Sequence, residues 1–519
     1  MSVAVNNEAP KLNGVSLVVA TTSVCLGTLL IALDIFIANV SIPTIAGELG
    51  VSQDNGSWVI TSYTVANAIM VPLTGWLTSV FGRIRLFCIS SILFSIMSLL
   101  CGLSVSFSML ITFRILQGAV SGSLIPLSQA LLMMLYPKHK SFALALWGVV
   151  VMVGNAMGPI IGGWITYDYN WRWIFNINVP LGILAGVVTF AMLWGYESKR
   201  KRLSVDVLGI ALLAVWVGSF QVVLDRGNND DWFRSHFIVT LSILAFVFFC
   251  FFLVWELFHP DPVVDLSFFK SRNFSIGSIS LAVAVMLLFS TLVVGPIWVQ
   301  QSPLNYTPLW AGYSIAFLGV SSFFLFPLVG IYLHLMDIRL WVGIGFALMA
   351  PSFFYMGYLV IDTPFYNLAL PRFFQGIGFA FFTVPLITLS LSGVSEKKIP
   401  SAAGIVTFVR LLGVSTGVSL GTTYYVRREN FFQSRYVEYV IASNPQMQPY
   451  YQAVKTQLGL TGKPADAFVY QMVQGQAYAQ TFFEFCWLVG WGYIFLFIIL
   501  FFFRSEKAAR GRAKQLAQH

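Results

Sequence analysis

Fourteen long apolar runs, separated by short polar stretches, limit what this chain can become. They occupy roughly 17–40, 56–78, 86–104, 107–134, 142–166, 173–196, 206–225, 236–257, 274–300, 310–333, 340–361, 365–391, 401–424 and 480–503. A helix needs roughly 20 apolar residues to cross about 30 Å of hydrocarbon. Backbone groups in lipid must be satisfied within such a segment, so each run predicts a transmembrane helix. With 57% hydrophobic and 10% charged residues among 519, the chain has more apolar surface than a soluble core can hide. The expected fold class is an all-α membrane protein with 14 transmembrane helices. The first run, Leu17 to Val40, is too long for a signal-peptide core and is read as a membrane helix.

The net charge of +9 would fit a nucleic-acid binder, but its distribution points to topology instead. With a cytoplasmic N-terminus, 19 Lys and Arg fall on the inside and 8 on the outside, the bias expected of a membrane protein with both termini in the cytoplasm. Nucleic acid is therefore not an expected partner. Cys25, Cys88, Cys101, Cys250 and Cys486 all sit in apolar runs, which suggests small core side chains and no disulfide framework.

An internal repeat divides the chain. Arg114-Ile-Leu-Gln117-Gly118 in the fourth run is echoed by Arg372-Phe-Phe-Gln375-Gly376 in the twelfth, each followed by a proline, a basic turn and a glycine-spaced helix. The expected organisation is a six-helix bundle over 1–197, two inserted helices over 198–272, and a second six-helix bundle over 273–519. Repeats of this kind place a substrate cavity at their interface near the bilayer midplane.

A charged side chain at membrane depth is costly and marks a candidate site. Asp34 is the carboxylate read as lying deep in an apolar helix; Arg114, Arg372 and Arg410 are the cations. A carboxylate whose charge is opposed by burial and favoured by a nearby Arg can switch protonation with exposure, which proton coupling requires. Asp34, Arg114 and Gln117 are the candidate proton-coupling residues. A permanent Asp34–Arg114 pair that only fixes two helices remains the alternative. Gln117, Ser121 and Ser128 share a helix face with Arg114 and either meet substrate or bond to neighbouring helices. Asn39, Tyr63, Asn67, Asn155, Arg372, Gln375 and Arg410 are assigned to a substrate cavity. Gly154, Gly158, Pro159, Gly162 and Gly163 are expected to break the fifth helix as a hinge, with tight static packing as the alternative.

At these residues a resemblance emerges. Leu33-Asp34 through Pro43, Arg114-x-x-Gln117-Gly118 and Gly154 through Gly163 resemble motifs of the fourteen-helix drug:proton antiporters of the major facilitator superfamily. Trp171 through Pro180, Leu224-Asp-Arg-Gly227 and Val254 through Phe274 are similar to Gram-negative multidrug exporters of that family. The resemblance implies the superfamily fold, proton antiport without a cofactor, and export of hydrophobic compounds from a bacterial inner membrane. It also implies a periplasmic membrane-fusion adaptor and a TolC-like outer-membrane channel as partners, besides lipid. One position departs: Ser79 stands where the loop motif beginning at Gly75 usually carries an acid, so a gating charge pair built on that acid is not expected.

Export of an endogenous amphipathic metabolite such as a siderophore, or a non-transporting sensor or scaffold, are the competing functions. No nucleotide loop, metal-ligand cluster or nucleophile triad argues for an enzyme. The outer segment 426–479 is too long for a plain connection, and its apolar spacing predicts short amphipathic helices that either dock an adaptor or cap the bundle.

Overall fold

The computed structural model describes residues 12, 14–51, 56, 58–197, 206–260, 262–301, 304–306, 308–361, 363–395, 398–440, 447–459 and 463–500. Every apolar run carries helix. In chain order they are α1 (Val15–Glu48), α2 (Trp58–Met70), α3 (Thr74–Phe81), α4 (Arg83–Gly102), α5 (Phe107–Ser121), α6 (Leu124–Leu135), α7 (Lys140–Asp168), α8 (Trp173–Asn176) and α9 (Asn178–Leu193). There follow α10 (Val207–Arg226), α11 (His236–Phe258), α12 (Arg272–Gln300), α13 (Pro308–Tyr332), α14 (Ile338–Gly357), α15 (Phe365–Leu391), α16 (Ile399–Tyr439), α17 (Gln448–Leu458) and α18 (Lys463–Ile499). Among the described residues, 12 helices are long and apolar enough to cross a membrane, or 13 if the α2–α3 pair counts as one bent span.

Two breaks were not expected. α2 and α3 meet at 63° around Pro72, which has no N–H to continue the ladder. The fourth run divides between α5 and α6, where Gly122 lets the chain approach α2: a Cβ there would come within 2.6 Å of Met70 Cβ. The expected break in the fifth run is not seen, since α7 continues as helix through Pro159. Packing on α1 supports that stretch, because a Cβ on Gly154 would lie 2.4 Å from Ala32 Cβ and one on Gly162 would lie 2.5 Å from the Ile37 carbonyl.

The repeat is structural as well as sequential. α1 packs on α7, α2 on α5 and α4 on α9; in the second half α12 packs on α16, α13 on α15 and α14 on α18. Gly118 brings α5 against the Tyr63 carbonyl as Gly376 brings α15 against that of Leu318. Gly413 and Gly417 seat α16 on Ala282 and Met286 of α12, the counterpart of the α7–α1 seam. The inserted α10 and α11 pack on each other, and α10 lies against both α2 and α16. Acidic residues at their ends are satisfied locally: Asp206 accepts from Gly209 N (2.8 Å) and Trp255 Nε1, and Glu256 accepts from Val264 N (3.2 Å).

The two halves touch at the Val15 end of α1, where Gly75 of α3 meets Ser401 of α16 and Gly330 of α13 meets Ala145 of α7. Here Ser79 turns its hydroxyl onto its own helix at Trp76 O (2.7 Å). The nearby turn is held by Glu197 instead, which accepts from Ile84 N (3.2 Å) and Arg85 N (2.8 Å) beneath Gly82, whose φ is +87°. Cys25 is half-buried and Cys250 exposed on the outer face of α11, so only Cys88, Cys101 and Cys486 are core side chains.

At the opposite end, 426–479 is not a loop of short helices. α16 and α18 extend through most of it, with α17 as a cap, and 441–446 and 460–462 lie outside the described residues. A bidentate Arg428–Glu484 pair (2.7 and 2.8 Å) ties the base, Gln433 bonds to Tyr470, and Val454, Ala465 and Val469 form a small apolar cluster nearer the cap.

Candidate functional site

Asp34 lies mid-helix in α1, fully buried, in a cage of donors from three directions. Arg114 Nη1 of α5 donates to Oδ2 at 2.7 Å. Gln117 Nε2, one turn along α5, donates to Oδ1 at 3.3 Å, and Asn178 Nδ2 at the start of α9 donates to the same oxygen at 3.0 Å. Arg114 is itself fixed: Nη1 also donates to Gln117 Oε1 (2.8 Å), Nε donates to Val59 O (3.0 Å), and the guanidinium stacks 4.2 Å from the Tyr63 ring. Burying two charges is tolerated only when their remaining donors and acceptors are met. Among the described residues Arg114 Nη2 and Asn178 Oδ1 have no partner, so the cage they form is short of full satisfaction.

The second half builds the same frame without the acid. Arg372 Nη1 donates to Gln375 Oε1 (2.9 Å), as Arg114 does to Gln117, but its other contacts are to Thr291 of α12: Oγ1 (3.3 Å) and the backbone O (3.0 Å). A hydroxyl thus does in α12 what a carboxylate does in α1. Helix packing in this repeat does not require a charge pair.

The structure brings Asp34, Arg114, Gln117 and Tyr63 together. Arg372 and Gln375 are buried within their own half, and neither faces the opposite one. Asn67 donates to Ser121 Oγ (2.8 Å), a bond between α2 and α5, while Ser128 bonds within its own helix. Arg410 is different: half-buried on α16, its guanidinium lies 5.4 Å from the Trp147 ring of α7, across the junction of the two halves, with no hydrogen bond or ion pair among the described residues. Of the hinge residues, Gly154, Gly158 and Gly162 are buried and Gly163 half-buried, whereas the side chains of Asn39, Asn155 and Pro159 lie outside the described residues. Asn178 was missed. It lies inside the run that begins at 173, and a polar amide within such a run is the signal that singled out Gln117.

A two-fold repeated helical bundle with one half's buried carboxylate caged by a cation defines a secondary membrane transporter. The chain matches the Major Facilitator Superfamily over residues 24–418 and belongs to it; it is a multi-pass membrane transporter and not an enzyme. It is 41% identical over 502 residues to the multidrug export protein EmrB of Escherichia coli (strain K12), covering 96% of this chain and 98% of that one. It is 42% identical over 434 residues to the fatty acid resistance protein FarB of Neisseria gonorrhoeae, covering 83% and 85%. The solved proton:xylose symporter XylE shares the fold, with a TM-score of 0.59 at 14% identity over 95% of this chain and 97% of XylE.

Proposed function

We propose that the chain is a proton-coupled antiporter that exports hydrophobic and amphipathic compounds across the bacterial inner membrane, with both termini cytoplasmic and fourteen spans. Similarity to EmrB and FarB supports the cargo class; assembly into a tripartite pump with a periplasmic adaptor and a TolC-like channel is part of the same proposal. The observation that carries coupling is the asymmetry between the halves: the carboxylate stands only where packing alone does not need it. A proton taken up by Asp34 neutralises it, loosens its hold on Arg114 and frees α1 from α5. The energy source is the proton-motive force, with no cofactor. One proton crossing about 100 mV releases about 2.3 kcal/mol, enough for a gradient of roughly 50-fold.

Proton-driven efflux by the purified protein in liposomes tests this reading; a chain that moves no substrate under a proton gradient is a scaffold or sensor. Arg114→Ala is expected to shift the pH optimum of efflux as well as its rate, because a nearby cation sets the protonation of a carboxylate. A reduced rate with an unmoved pH profile assigns Arg114 to packing.

Arg410, with no ion pair among the described residues, and the Trp147 ring place a cation and an aromatic face where the halves meet, which suits a flat amphipathic compound carrying an acidic group. Arg410→Ala is expected to raise KM for an acidic substrate such as a fatty acid about tenfold and to leave a neutral dye within about twofold. Equal effects on both remove Arg410 from substrate recognition.

A further inference from the structure

Asp34 is not the only carboxylate held between helices. Asp225 lies on the last turn of α10, half-buried, where the inserted pair wedges against both halves. Its Oδ1 accepts from Gln221 Nε2 (3.0 Å) and its Oδ2 from Thr64 Oγ1 of α2 (3.3 Å). Gln221 Nε2 also donates to Ser415 Oγ of α16 (3.1 Å), so one amide joins the carboxylate to the second half. Trp232 Nε1 donates to Thr423 Oγ1 (3.0 Å) two turns further along α16.

Among the described residues no cation is bonded to Asp225. α2 carries no charged residue, and Arg226 is held by Asp230 (3.3 Å) over the Trp58 ring. On α16, Arg410 lies over Trp147, Arg428 is paired with Glu484, and Arg427, Glu429, Arg435 and Glu438 lie beyond Thr423. At the other end of α10, Asp206 is bound by Trp255; on α11, Glu256 caps Val264 and His236 stands at the helix start. Unlike Asp34, which is matched by Arg114, and unlike Asp206 and Glu256, which accept from backbone N–H groups, Asp225 is matched by a hydroxyl and an amide from side chains.

That set of partners accommodates both protonation states. Thr64 Oγ1 lies 3.1 Å from Thr61 O and 3.3 Å from Asp225, so its single proton serves either acceptor. With Asp225 ionised, Thr64 donates to the carboxylate. With Asp225 protonated, the acid O–H donates to Thr64, which donates to Thr61 O, and no group is orphaned. Gln221 responds differently: its bond to the carboxylate is charge-assisted and weakens once the acid is neutral. The amide that reaches Ser415 then loses its anchor.

We propose that Asp225 is a second proton-binding residue, and that its ionised form ties the inserted helix to both halves at the α2–α16 seam while its protonated form keeps the bond to α2 and loosens the link to α16. The transport consequence rests on the proton-coupled reading above; the proton binding itself does not. Infrared titration of the purified protein in lipid between about pH 5 and about pH 8 is expected to show a protonated-carboxyl C=O band that Asp225→Asn removes and Asp225→Glu keeps. Gln221→Ala, which leaves the acid in place, is expected to shift the midpoint of that band by about one pH unit. In liposomes, Asp225→Asn is expected to slow efflux about tenfold and flatten its pH profile, with Asp225→Glu retaining pH dependence. A titrating spectrum identical in wild type and Asp225→Asn, or a midpoint untouched by Gln221→Ala, overturns the proposal. Wild-type efflux indifferent to the proton gradient, with the Asp225 band present, overturns the coupled reading alone.

Discussion

Asp34→Asn protein in liposomes is expected to equilibrate substrate but not to accumulate it. The gradient reached under an imposed proton-motive force falls by the roughly 50-fold that one proton sustains at about 100 mV. The amide retains Oδ1 as acceptor and nearly the size of the carboxylate, so the contacts from Asn178 and Gln117 have somewhere to land. What it cannot do is take up a proton or balance the buried Arg114 charge. Removing one partner of a buried pair costs about 3–5 kcal/mol when nothing replaces it, so Asp34→Leu is expected to unfold at markedly lower temperature than Asp34→Asn. Substrate binding, followed by quenching of the protein's tryptophans, is expected to persist in Asp34→Asn. A wild-type gradient in that variant removes Asp34 from the coupling step, and the Asp34–Arg114 pair is then a structural lock.

The second large effect belongs to the helical protrusion. Deleting Gln433 through Gly475 behind a short Gly/Ser linker is expected to leave efflux in liposomes largely intact, since the Arg428–Glu484 pair at the base is untouched. The same deletion is expected to abolish drug resistance in cells and co-purification with the membrane-fusion adaptor. The paired ends of α16 and α18, with aromatic side chains such as Phe432 stacked on Tyr436, offer a firm surface for such a partner. Retained resistance together with retained pull-down confines the protrusion to capping its own bundle.

Helix positions were legible because lipid enforces apolar length, and the repeat was legible because Arg-x-x-Gln-Gly recurs; both outcomes are seen in α5 and α15. The bends were not. Pro72 breaks a span whereas Pro159 does not, and the residue type alone does not distinguish them. Asp34 and Arg114 stood out as charges in mid-span, and Gln117 followed from its place on the same helix face as Arg114. Asn178 and the Asp225 of Leu224-Asp-Arg-Gly227 were given no role because spacing along one helix does not show what another brings to it: Asn178 meets Asp34 of α1 and Asp225 meets Thr64 of α2. The protrusion was misread because hydropathy falls off after about residue 425 although the helical period continues.

That continuity makes α16 a lever. The same unbroken rod is seated on α12 by Gly413 and Gly417, carries Arg410 at the junction of the halves, and runs on to Tyr439. At 1.5 Å per residue its 41 residues span about 60 Å, twice the thickness of the hydrocarbon. If the second half rocks by about 10°, a tip about 30 Å from the pivot sweeps about 5 Å. An adaptor gripping that tip would feel each turnover as a mechanical stroke.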